Sequence, residues 1–170
     1  MGVGLFLPAC ATTPQAKDDL AKRKMLEMLM PSRIEIVEPF TRVRSFDDDP
    51  TPDGIELLIR AVNALDNPGL MLAGTIRVEL FDHVPASGNN KGARLDHWDI
   101  ELTTAQHQKR FWNQSTQMYE FRLGLDRKRV PVAEKYVLVV SYTSPLDEQF
   151  RDEYVISASR ATLQQGAGRS

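Results

Sequence analysis

Between Ser32 and Ser157 the apolar residues fall into runs that alternate with polar ones, and a period of two admits strands rather than helices. Thr75-Ile76-Arg77-Val78-Glu79-Leu80 places Ile76, Val78 and Leu80 on one face and Arg77 and Glu79 on the other, as a strand with one wet side requires. Residues 97–102 repeat the pattern with Trp98, Ile100 and Leu102 inward, and residues 118–123 with Tyr119, Phe121 and Leu123 inward. Residues 136–142 are apolar on both faces, which predicts a central strand covered from two sides. Weaker runs lie at 33–37, 55–62 and 153–157, the first and last being candidate edge strands because they carry charges that discourage indiscriminate pairing. Turn-forming clusters separate the runs, at 47–54, 66–69, 87–90 and 143–145.

About seven short strands punctuated in this way predict an all-β fold, an antiparallel sandwich of the immunoglobulin-like or fibronectin-like kind. Phe111-Trp112-Asn113-Gln114 followed by the strand at 119–123 resembles a C2-like sandwich over about a dozen residues, which makes that the alternative. Two helices interrupt the pattern. Thr13-Pro14 has the form of an N-cap followed by proline, so a helix is expected from Gln15 to Met30, ending at Pro31. Leu20, Ala21, Met25, Met28 and Leu29 lie near one of its faces, suited to docking on the domain or to spacing it from a membrane. Thr103-Thr104-Ala105-Gln106 has capping-box spacing and opens a short helix through Arg110 or Phe111. The expected organisation is residues 1–9 as part of a leader, 10–31 as linker and helix, 32–158 as the sandwich and 159–170 as a disordered tail.

The front of the chain reads Met1-Gly2-Val3-Gly4-Leu5-Phe6-Leu7-Pro8-Ala9-Cys10, and Cys10 is the one cysteine in 170 residues. A leucine three positions before the cysteine and a small residue just before it resemble the end of a bacterial lipoprotein signal peptide, with Leu7, Ala9 and Cys10 at the matching positions. The resemblance implies cleavage before Cys10, acylation of its thiol and amine, and an address in the cell envelope, since stable anchoring takes two or more acyl chains. Nine residues without Lys or Arg precede Cys10, fewer than a working signal needs, so the expectation is a start inside a longer leader.

The net charge of −2 supplies no field that attracts nucleic acid, and aromatics at 8% give few stacking platforms. The exception is Lys109-Arg110-Phe111-Trp112, which mixes cations with rings in the manner of single-strand binders, although such a cluster is more often a helix end packing Trp112 on the core. The acidic loop Asp47-Asp48-Asp49 with Asp53 is the candidate metal site, because calcium takes six to eight oxygen ligands. Asp147, Glu148 and Asp152 complete the shell if their loop lies at the same end of the sandwich. His83, His97 and His107 lack the short fixed spacing of zinc ligands. No nucleophile elbow or phosphate-cradling glycine loop is present. The sequence thus points to a non-catalytic envelope lipoprotein with no resident cofactor, tied to the membrane by lipid and having a binding or structural role, with a protein partner, in a cell-envelope complex. The alternative is a calcium- or carbohydrate-binding module that uses Trp98, Trp112 or Tyr119.

Overall fold

A computed structural model describes residues 14–47, 52–126, 130 and 133–158. Cys10, Asp48, Asp49 and the expected tail at 159–170 lie outside the described residues. Helix α1 (Pro14–Leu29) precedes ten strands: β1 (Pro31–Ile36), β2 (Arg42–Arg44), β3 (Gly54–Asn63), β4 (Pro68–Leu70), β5 (Thr75–His83), β6 (Lys91–Glu101), β7 (Trp112–Asn113), β8 (Met118–Gly124), β9 (Lys135–Thr143) and β10 (Gln149–Ser157). Helix α2 (Ala105–Phe111) connects β6 to β7.

The strands form two antiparallel sheets, one ordered β1-β3-β8-β7 with β2 and β4 also paired to β3, the other ordered β10-β9-β5-β6. This order corresponds to strands A-B-E-D over G-F-C-C′ of the immunoglobulin-type sandwich. The start of β9 carries a second mark of that architecture: the Tyr136 hydroxyl accepts a hydrogen bond from the Ala133 N–H, three residues upstream, at 3.0 Å. Leu138 then occupies the place where antibody domains carry the second cysteine, and it is fully buried.

The alternating patterns set which side chains enter the core. Ile76, Val78 and Leu80 face Tyr119, Phe121 and Leu123 across the sandwich, with Ile55, Leu57 and Ile59 of β3 and Leu138 and Val140 of β9 between them. All eleven are buried, and Phe121 stacks beside Tyr119 with ring centroids 6.2 Å apart. The outward-facing Val137 and Val139 are buried as well. Their cover is a strap, not a third layer. The register places Val139 between Glu79 and Glu153, and Lys91 of β6 crosses two strands to pair with Glu153 while its side chain stays 12% exposed.

Ten strands replace the expected seven because β2, β4 and β7 span only two or three residues, too few to display a period. Thr104, one residue later than expected, caps α2, its Oγ1 accepting from His107 N–H at 3.2 Å. Every described side chain of α1 from Asp18 onward is exposed, as is Met30, so this helix is not docked on the sandwich. No helix among the described residues is long and apolar enough to cross a membrane.

Candidate functional site

The two lateral sides of the sandwich differ. On one, β1 and β10 lie side by side and Asp152, which the register puts on the inner face opposite Val140, accepts a hydrogen bond from Ile36 N–H at 2.7 Å. On the other, the chain leaves β6, forms α2 and enters β7. Tyr119, buried at the foot of β8, organises this crossing. Its hydroxyl accepts from Leu72 N–H at 2.8 Å and donates to Gln108 Oε1 at 2.7 Å, and Gln108 Nε2 donates to the carbonyls of Leu72 and Leu102 at 2.7 Å each. Burial pushes the Tyr119 hydroxyl above its ordinary pKa, with the bonds to Leu72 and Gln108 opposing it. Such a buried network is stable only when every member is satisfied.

Between α2, β7 and the outer face of β8 lies a groove of about 760 Å³. The exposed Lys109, Arg110 and Arg122 stand at its rim, Phe111 and Trp112 line it half-buried, and Glu56 and the exposed Glu120 complete the lining. Phe111 packs on Phe121 at 5.1 Å between centroids, and Trp112 meets Tyr119 edge-on at 4.9 Å. The carboxylates are engaged. Glu56 receives Arg42 and Arg44 at 3.0 and 3.1 Å; burial pushes its carboxyl up, but the bonds from Arg44 and Arg42 outweigh this and hold it below the ordinary value. Glu120 accepts from Asn113 at 2.8 Å. The cations rest on rings: Arg110 lies 5.1 Å from the Phe111 centroid and Arg122 lies 5.9 Å from that of Phe46. Phe46 is seated there by Gly54, since a Cβ at that position would fall 2.0 Å from its ring.

A second, apolar cleft of about 320 Å³ lies at the end of the sandwich from which α1 departs, lined by Leu29, Met30, Met71, Pro145, Leu146 and Phe150 among others. Leu146 and Met71 are strongly exposed there, at 77% and 53%.

The acidic residues singled out by the sequence are spread out. Asp53 closes its own loop, Oδ1 accepting from Phe46 N–H at 2.7 Å, and Asp47 Oδ1 accepts from Ser45 Oγ at 2.8 Å. That loop enters β3 at Gly54. The turn carrying Asp147 and Glu148 lies at the opposite end, near Pro31, which pairs with Asn63 at the far end of β3. Ten residues of β3 separate them, about 30 Å at strand rise. Asp152 is committed to Ile36. The structure therefore does not bring the second acidic group to the first. Among the described residues no three His, Cys, Asp or Glu side chains cluster as metal ligands would. His97 is exposed on β6, His83 ends β5 and His107 lies on α2, where its Nδ1 is buried without a hydrogen-bond partner. Of the three rings considered for carbohydrate, Tyr119 is fully buried, while Trp98 and Trp112 are half-buried against the core.

No family model matches the chain, and no curated protein sequence matches it. The groove was only partly visible in the sequence. Lys109-Arg110-Phe111-Trp112 marked its wall, but Glu56, Glu120 and Arg122 belong to distant strands and only the fold assembles them.

Proposed function

We propose that the chain is a non-catalytic lipoprotein of the bacterial cell envelope, anchored through acylated Cys10 and holding its sandwich out to a protein partner. The observation that carries this reading is the state of α1. Sixteen residues form a helix whose described side chains are all exposed, as suits a spacer between an anchor and a body that begins at Pro31. The sequence Leu7-Pro8-Ala9-Cys10 supplies the anchor. The exposed apolar end, with Met30, Met71 and Leu146 beside the foot of α1, suits a surface held close to a membrane or to a neighbour on it.

The test is Cys10→Ser in the natively produced chain with its full leader. The variant leaves the membrane fraction and keeps its β-rich circular dichroism. Membrane association equal to that of the parent, or mass spectrometry showing an unmodified thiol in the parent, overturns the reading.

A further inference from the structure

The groove beside α2 borders a stretch of β8 whose backbone is paired on one side only. β3 runs along β8 from Tyr119 to Gly124, whereas β7 covers only Met118 and Tyr119. In an antiparallel ladder successive residues turn their N–H and C=O alternately to one neighbour and to the other. Three contacts determine the phase. Leu58, opposite Glu120, gives its N–H to Thr41 Oγ1 at 3.2 Å and its C=O to Val37 N–H at 2.8 Å, away from β8. Leu125 N–H donates to Asp53 C=O, toward β3. The Gly124 carbonyl accepts from Trp98 Nε1 of the other sheet, away from β3. Phe121 and Leu123 therefore bond to β3, while Glu120 and Arg122 each turn an N–H and a C=O toward α2. The pairing of Trp112 with Tyr119 brings the Phe111 carbonyl to the Glu120 N–H; beyond it β7 gives way to α2, and among the described residues no strand meets the Glu120 C=O or the N–H and C=O of Arg122.

We infer that this edge takes up an extended acidic peptide segment of a partner as an added strand; the inference rests on the binding role proposed above and gives it a place. Strand addition draws affinity from main-chain hydrogen bonds and specificity from alternate side chains. Here the main-chain groups are the Glu120 C=O and the N–H and C=O of Arg122. The preference for acid follows from the rim. Glu56 is matched by Arg42 and Arg44 and Glu120 by Asn113, whereas Lys109, Arg110 and Arg122 have no carboxylate partner among the described residues. Alternate peptide side chains meet these cations on one face and the half-buried Phe111 and Trp112 on the other.

The experiment selects heptapeptides from a random display library on the whole folded protein and follows amide exchange residue by residue. Recovered peptides carry Asp or Glu at alternating positions. They slow exchange at Arg122 by about tenfold or more and leave Glu120, Phe121 and Leu123, already bonded to β7 or β3, unchanged. Arg110→Glu with Arg122→Glu weakens binding about tenfold or more, and Lys109→Glu moves it the same way; all three positions are exposed, so melting temperature is retained and reports folding. Recovery of no peptide, of neutral or basic peptides, or protection elsewhere overturns the inference. So does protection of the Arg122 amide by rising protein concentration alone, which would make a second copy the occupant. None of these failures touches the anchor, which is read from the membrane fraction of Cys10→Ser.

Discussion

Along the β1–β10 side, one carboxylate reaches from one sheet to a backbone N–H of the other, and the two strands lie in contact. Along the β6–β8 side, the chain detours through α2, and Tyr119 with Gln108 ties that helix to the backbone of Leu72 and Leu102. Both sides join the same two layers. The first is finished by a contact of 2.7 Å. The second is finished by a buried polar network that leaves a groove and an unpaired edge outside it. A sandwich needs all its inner face covered but not all its edges paired, so surfaces for partners arise where the pairing stops.

Three substitution experiments sharpen or break that contrast. The largest effect is expected at Gly74, at the entry to β5: it has φ +146°, and a Cβ there would lie 2.2 Å from the Thr143 carbonyl oxygen. Gly74→Ala is expected to cost about 3–4 kcal/mol, measured by urea unfolding. A loss below about 1 kcal/mol would mean that the turn gives way easily. Next come the two sides themselves. Tyr119→Phe orphans Leu72 N–H and Gln108 in a buried place and is expected to cost about 2–3 kcal/mol, against about 1.5–2 kcal/mol for Asp152→Ala. Reversal of that order would show that the β1–β10 contact, and not the α2 network, holds the layers together.

The smallest effect is one of pH. Burial pushes the Glu35 and Glu56 carboxyls up, yet hydrogen bonds from Arg60 and Arg33, and from Arg44 and Arg42, leave both below the ordinary value of 4.5. A depressed folded-state pKa gives stability that is present above the unfolded value and lost as pH falls through the folded one. The melting temperature should therefore fall below about pH 4.5, the ordinary value, and the double variant Glu35→Gln, Glu56→Gln should show a shallower fall. Equal acid limbs in parent and variant would assign the loss to other groups.

The strands whose one face is wet were legible because burial and exposure alternate along them. Arg77 and Glu79, Glu120 and Arg122 point outward as their positions dictate. β2, β4 and β7 were not legible, since their existence depends on the neighbour that β3 or β8 offers and not on their own residues. Asp152 illustrates a different limit. Its sequence neighbours Arg151 and Glu153 suggest a solvated charge run, and only the register places it inward opposite Val140. Likewise the inward reading of Tyr119 was available from alternation, but its partners Leu72 and Gln108 come from a loop and a helix whose approach no local pattern encodes. The groove was legible on the side where its residues are consecutive and hidden where they are not.

Lys91 has a consequence for how the outer face of the four-stranded sheet meets water. The register puts Phe81 beside Val137, and Val137 beside Val155, an oily window in the middle of an otherwise charged surface. The lysine stem lies across it like a shutter, latched to Glu153 at the far strand. A modification that cancels the ammonium charge removes the latch, and the valines beneath then rely on the stem alone for their shelter from water.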